Sequence, residues 1–206
     1  MHNRHSSANK EQRAALADIT KTLSHMIEQS ITANGSAQEL VKVNQMLEEA
    51  STALNSLNQD KRLVEYYNPK QQNNLNDVLP YSPISGGYNP VAVPIVFSRV
   101  GEKTIGEVIC GRAYEGPKNS VHGGVISAIY DQLMAIASMM SDQAGPTAYL
   151  HVDYKGMTPL FKPLLFEAWI GEVKGRKITV QAHCLHDGQV VSTAHALFIG
   201  QGKPMN

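Results

Sequence analysis

Along the first third of the chain, Leu16, Ile19, Leu23, Met26 and Ile27 fall at the three-and-four spacing that lines one face of a helix. Asn34-Gly35 breaks it. Ser36 stands three residues before Glu39, the spacing of a capping box, so a second helix starts there. Its apolar positions Leu40, Val43, Leu47, Ala50, Leu54 and Leu57 form a narrow seam suited to packing against another helix. An antiparallel helical hairpin over 1–65 is expected, its seam covered by its neighbour or by a second subunit. From Tyr66 to Pro94, prolines at 69, 80, 83, 90 and 94 interrupt an Asn-, Gly- and Ser-rich stretch, which reads as a linker and approach loop over 66–94.

The pattern changes again over 95–206. Ile95 to Val100 and Thr104 to Tyr114 read as two strands joined by a turn at Gly101-Glu102-Lys103. One long helix follows from about Gly123 to Met140, with Val125, Ile126, Ile129, Leu133, Ile136 and Met140 as its apolar stripe. Strands are then expected around Ala148–Tyr154, Leu165–Val173, Ile178–His186 and Val190–Ile199. Strand, strand, helix and four strands need no parallel crossover, so the fold class is α+β: an antiparallel sheet with one buried helix on a face.

Eighteen Lys and Arg against eighteen Asp and Glu leave no net charge to draw the chain to nucleic acid or an anionic membrane. The run Val121 to Met140 is interrupted by His122, Gly123, Gly124, Ser127, Asp131 and Gln132, which argues against a membrane span. The opening residues lack the apolar region of a secretory leader, so a cytoplasmic location is expected. Cys110 and Cys184 sit in apolar strand-like segments and read as free buried thiols.

Val121-His122-Gly123-Gly124-Val125 places two glycines where a loop becomes a helix, so backbone amides there can approach a ligand closely. Preorganised amides of this kind can stabilise an oxyanion. Asp131, nine residues beyond His122, interrupts an apolar stretch, and a partly buried, reactive position is expected for it. By pattern alone, a tight turn and a solvated aspartate account for the same residues.

Tyr114-Glu115-Gly116-Pro117, His122-Gly123-Gly124, Asp131 and Thr147 within Thr147-Ala148-Tyr149-Leu150-His151-Val152-Asp153-Tyr154 resemble, in sequence and spacing, the PaaI-like hotdog acyl-CoA thioesterases. Ser82-Pro83-Ile84-Ser85-Gly86, Asn89-Pro90 and Gly175-Arg176-Lys177 resemble a bacterial branch with an N-terminal helical extension. The resemblance covers about residues 80–200. It implies a hotdog fold, a curved antiparallel sheet wrapped around a central helix, with subunits pairing into a dimer or dimer of dimers and building sites between them. It further implies hydrolysis of an acyl-CoA thioester, with Asp131 as general base or nucleophile and the Gly123 amide, aided by Gly124, holding the oxyanion. Thr147 would orient water, with either subunit open as its source. His122 would orient the turn or the thioester, a structural helix-cap role being equally open.

The CoA phosphates call for cations at the rim, for which Lys155, Arg176 and Lys177 are the candidates beside Gly124. Met134, Met139 and Met140 read as core filling. His183-Cys184-Leu185-His186-Asp187 has a metal-like composition, but His183 and His186 fall on opposite faces of a strand, so no metal is expected. The absence of a phosphate loop or dinucleotide fingerprint argues against a nucleotide cofactor.

Two other readings compete: a hotdog acyl-thioester hydratase or dehydratase, and a non-catalytic acyl-CoA-sensing module. Residues 1–80 hold eight Lys and Arg against nine Asp and Glu, which disfavours a DNA reader in the extension.

Overall fold

A computed structural model describes residues 10–58, 62–67, 75–141, 143 and 145–200. The first nine residues and Pro69, which carry part of the leader and linker expectations, lie outside that set. Two helices come first, α1 (Lys10–Ile31) and α2 (Ala37–Ser56). The start of α2 is the expected capping box: Glu39 N–H donates to Ser36 Oγ at 3.3 Å, and Ser36 N–H donates to Glu39 Oε2 at 2.8 Å.

Within the single chain the seam of α2 is left uncovered, which leaves the second-subunit alternative open. α2 buries no residue, and Leu40, Val43, Leu47 and Leu57 face solvent. A narrow apolar seam specifies that a helix wants a partner without specifying which one, and α1 docks elsewhere. Its Glu28 carboxylate accepts the N–H groups of Arg112 at 2.6 Å and Ala113 at 2.8 Å, capping a 3-10 turn over Arg112–Tyr114. Gly111 makes room for this contact, since a Cβ there would lie 2.5 Å from Glu28 Oε1.

The remaining chain builds one sheet from β1 (Val96–Val100), β2 (Lys103–Val108), β3 (Thr147–Tyr154), β4 (Leu164–Lys174), β5 (Lys177–His186) and β6 (Gln189–Ile199). Their order is β1-β2-β4-β5-β6-β3, and every neighbouring pair is antiparallel. β2 is shorter than its apolar pattern predicts, because the chain leaves the sheet after Val108 and enters the 3-10 turn that Glu28 caps.

Across the sheet lies α3 (Gly123–Ser138), extended by a 3-10 turn over Met139–Ser141. By length and composition this stretch would pass for a membrane span. Here it is the core helix. Ile126, Ile129, Leu133 and Ile136 pack with Phe166, Ala168, Val180 and Phe198 of the sheet, each large side chain contributing about 1.5–3 kcal/mol by leaving water. Tyr130 is fully buried, meets Phe166 edge-on at 5.2 Å and reaches Ser192 Oγ at 2.8 Å, so its one polar group is satisfied. This arrangement is the hotdog architecture.

The stretch before β1 is packed rather than loose. Leu75, Val78 and Val93 are buried, and Asn76 Nδ2 donates to the carbonyls of Ser85 at 2.9 Å and Ile95 at 2.7 Å. Ser82 Oγ donates to Gln132 Oε1 at 2.9 Å, tying this approach segment to α3 beside Asp131.

Candidate active site

The loop leading into α3 is held by its own residues. Glu115 pairs with Val121 in a short bridge, and Gly116 N–H donates to Ser120 O at 2.9 Å. The Glu115 carboxylate accepts Asn119 N–H at 2.6 Å and an Arg112 Nη1 bond at 3.0 Å. These bonds, Asn119's first and Arg112's second, hold the Glu115 carboxyl below the usual carboxylate range. Asn119 occupies the left-handed region at φ 61°, a conformation that asparagine tolerates better than most residues. Val121 N–H donates to Thr158 O and His122 N–H to Tyr114 O, both at 2.8 Å, which fixes the point at which the helix begins.

His122 is the N-cap of α3, and its Nδ1 accepts Gly124 N–H at 2.9 Å. An acceptor Nδ1 places the ring proton on Nε2, so the neutral imidazole presents a donor outward. Gly124 N–H is therefore engaged, which corrects its expected share in oxyanion binding. The Gly123 N–H, by contrast, has no hydrogen-bond partner among the described residues. It lies at the positive end of the helix dipole.

Further along α3, Asp131 is exposed. The partly buried position expected from its apolar neighbours is thus corrected for the single chain. Ile129, Tyr130, Leu133 and Met134 are its neighbours in sequence, but the helical repeat turns them inward and leaves Asp131 on the opposite face. Thr147, at the start of β3, donates from Oγ1 to Asp131 Oδ1 at 2.8 Å within the same chain. An ionised carboxylate only accepts, so the hydroxyl proton is committed to Asp131 and the oxygen keeps lone pairs for a water.

The far end of β3 reaches the other end of the same helix. Tyr154 OH donates to Gly123 O at 2.7 Å and shares a second bond with Ser127 Oγ at 2.7 Å. Thr147 and Tyr154 are seven residues apart, so strict alternation would point them to opposite faces. A register irregularity between Thr147 and Tyr149 shifts the phase, and both side chains meet α3.

The two chemical features are separated along the helix axis. Gly123 and Asp131 are eight residues apart, a rise of about 12 Å. One thioester carbonyl cannot touch both in a single chain, because attack and oxyanion binding each need contacts of about 3 Å. None of the candidate residues lines the apolar surface cleft of about 630 Å³ that Pro94, Ile109, Leu165 and Leu185 help to form.

Residues 118–193 match the family model described as the thioesterase superfamily. A crystal structure described as a thioesterase superfamily protein superposes with a TM-score of 0.79 and 26% identity, over 89% of this chain and 94% of that one. Over residues 118–193 the sheet-and-helix domain is a match to the thioesterase superfamily.

The chain is also similar to the acyl-coenzyme A thioesterase THEM4 of Xenopus laevis, at 32% identity over 43% of this chain and 41% of that protein. It spans less than half the length of the curated relatives it matches. A Streptococcus mutans structure bound to acetyl CoA shares the fold at a TM-score of 0.50 and 17% identity, covering 53% of this chain and 90% of that one.

The expected rim cations do not gather at one place. Lys155 follows Tyr154 at the Gly123 end of β3. Arg176 and Lys177 lie at the opposite end, where Arg176 Nε donates to Gly200 O at 2.8 Å and Ile199 N–H to Pro146 O beside Thr147. The His- and Cys-bearing strand is likewise distributed: Cys184 is buried, while His183 Nε2 meets Glu167 Oε2 at 2.7 Å and His186 lies 3.5 Å from Asp187. Among the described residues, no three His, Cys, Asp or Glu side chains are grouped to hold a metal. Met134 is buried in the core, and Met140 Sδ accepts a weak bond from Thr104 Oγ1 at 3.9 Å.

Tyr154, Ser127, Arg112 and Glu115 are site-supporting residues whose contacts the sequence pattern did not assign. For Tyr154 the available signal is a phenol at the end of a strand that otherwise turns Leu150 and Val152 toward the core.

Proposed function

We propose that this protein hydrolyses an acyl-CoA thioester to the free acid and CoA. The observation that carries the reading is the Asp131–Thr147 pair: an exposed carboxylate whose orientation is fixed by a hydroxyl at 2.8 Å, on the helix that also presents the Gly123 N–H, which has no partner among the described residues. Similarity to THEM4 and to a structure bound to acetyl CoA supports CoA thioesters as the substrate class.

In this mechanism Thr147 donates to one oxygen of Asp131 and accepts a hydrogen bond from the attacking water, holding that water beside the carboxylate. Asp131 takes a proton from the water as it adds to the thioester carbon, and that proton passes to the CoA sulfur when the tetrahedral intermediate collapses and the C–S bond breaks. Direct attack by Asp131, with hydrolysis of the resulting anhydride, uses the same placement. The carbonyl oxygen, gaining charge, rests on Gly123 N–H at the helix start, and His122 Nε2–H is a second donor facing outward. A hydratase would use His122 as a base, but its Nδ1 is already the acceptor for Gly124 N–H.

The axial separation of Gly123 from Asp131 makes a site shared by two copies part of the proposal, Asp131 and Thr147 coming from one and Gly123 from the other. A homo-oligomer, dimer or dimer of dimers, follows. Two uncovered features support it: β3 is an edge strand with β6 as its neighbour in the sheet, and the α2 seam is exposed. Thiol release from short, medium, long-chain and aryl acyl-CoAs tests the reading. Turnover on at least one series, lost in Asp131→Asn, is expected, whereas no turnover on any thioester would turn the same site into a sensing one.

A further inference from the structure

The Gly123 amide can stabilise an oxyanion only if its direction is fixed, and the helix alone fixes it weakly. Gly123 and Gly124 are the first two helical residues, both lack a side chain, and the backbone freedom this confers is greatest where helical bonds are fewest. The N–H of Gly123 belongs to the His122–Gly123 peptide, whose carbonyl accepts Val125 N–H at 2.9 Å and Ile126 N–H at 3.2 Å. Those bonds secure one side of Gly123. On its other side, the Gly123 carbonyl accepts the Tyr154 hydroxyl at 2.7 Å.

We propose that Tyr154 is a positioning residue, which locks the Gly123–Gly124 peptide and so keeps the Gly123 N–H aimed at the thioester carbonyl oxygen. The proposal rests on the hydrolase reading above. Two further contacts carry it. Ser127 Oγ, one turn along α3, meets the Tyr154 hydroxyl at 2.7 Å, so the phenol is itself tethered and its proton is directed to Gly123 O. The ring also walls the glycine, because a Cβ on Gly123 would lie 3.3 Å from both Cζ and the hydroxyl oxygen of Tyr154. About half of the tyrosine is exposed, so core packing does not account for a hydroxyl held by two partners. The opposite end of the same strand holds Asp131 through Thr147, and β3 therefore sets both halves of the chemistry.

The test is Tyr154→Phe, which keeps the ring and removes the hydroxyl. The expected result is a fall in kcat of about five- to twentyfold, a fraction of the roughly hundredfold or greater cost of losing an oxyanion donor, with KM within about twofold of wild type. Ser127→Ala should lower kcat by a smaller factor in the same pattern, and it keeps the proposal testable if Tyr154→Phe fails to fold. An unchanged kcat, or a loss carried wholly by KM, overturns the proposal.

A second readout does not depend on turnover. A ketone analogue of acyl-CoA, with methylene in place of the thioester sulfur, should shift the Gly123 amide resonance in wild type, and much less in Tyr154→Phe. Equal shifts in the two proteins overturn the positioning role. If the wild type hydrolyses no thioester while the amide response still depends on Tyr154, the hydrolase reading falls and the positioning role stands.

Discussion

Thr147 Oγ1 donates to Asp131 Oδ1 at 2.8 Å, joining the first residue of β3 to the middle of α3. The bond commits one carboxylate oxygen and leaves the other without a partner among the described residues, on a side chain that faces solvent in the single chain. Replacing Asp131 by Asn should therefore lower kcat/KM by about a hundredfold or more, the range of general-base catalysis. The fold should be little affected, within about 0.5 kcal/mol, because the side chain is exposed. Thiol-release kinetics and a thermal melt of the same sample check both parts.

At Thr147 it is the hydroxyl that matters in this account. Thr147→Val is expected to cost about tenfold in kcat, in keeping with loss of a hydrogen bond to a charged group, while Thr147→Ser should retain most of the activity. Steady-state kinetics of the two variants side by side distinguishes a hydroxyl role from a packing role, in which serine would fare no better than valine.

The loop before α3 should respond to acid. Asn119 N–H and Arg112 hold the Glu115 carboxyl below its ordinary range, so the stabilisation is complete above the unfolded carboxylate value of about 4 and is lost as pH falls through the lower folded value. Amide exchange of Asn119 and Ser120 should rise over that acid window in wild type. In Glu115→Gln the same amides should exchange faster at neutral pH, with no further step on acidification.

Burial pushes the Cys110 and Cys184 thiols up to about 12. Neither should be alkylated by iodoacetamide near neutral pH until the protein is denatured, when both should react. Mass spectrometry of the native and denatured samples reads this directly.

Much of the sheet-and-helix domain was legible in the chain because its signals are local. The Ser36–Glu39 spacing predicts the cap that forms, the stripe from Val125 to Ile136 predicts α3, and the runs from Leu165 onward predict β4, β5 and β6 within a residue or two. Long-range features were less accessible. Nothing near Glu28 in sequence shows that its partners are the amides of Arg112 and Ala113, more than eighty positions away. That contact holds α1 against the 3-10 turn that follows β2.

At the site, His122, Gly123 and Asp131 stood out by spacing and resemblance, but their detailed roles depended on geometry. The aid expected of Gly124 to Gly123 is not available while the His122 ring accepts its amide. Asp131 looked partly buried because its sequence neighbours are apolar, although helical geometry turns those neighbours inward. Tyr154 could not be paired with Thr147 by alternation, since the irregularity between Thr147 and Tyr149 changes the phase of β3.

The central claim is acyl-CoA hydrolysis at a site that takes Asp131 from one copy and Gly123 from another. The most direct measurement is thiol release by Asp131→Asn, by Gly123→Pro, which removes the N–H at a first helical position that tolerates proline, and by the two variants unfolded together and refolded as a mixture. Each variant alone should be nearly inactive while the wild type turns over, and the mixture should regain activity, because mixed oligomers contain sites with both residues intact. A mixture that forms mixed oligomers yet stays as inactive as its components would contradict the shared site, and a wild type that releases no thiol from any acyl-CoA would contradict the hydrolase itself.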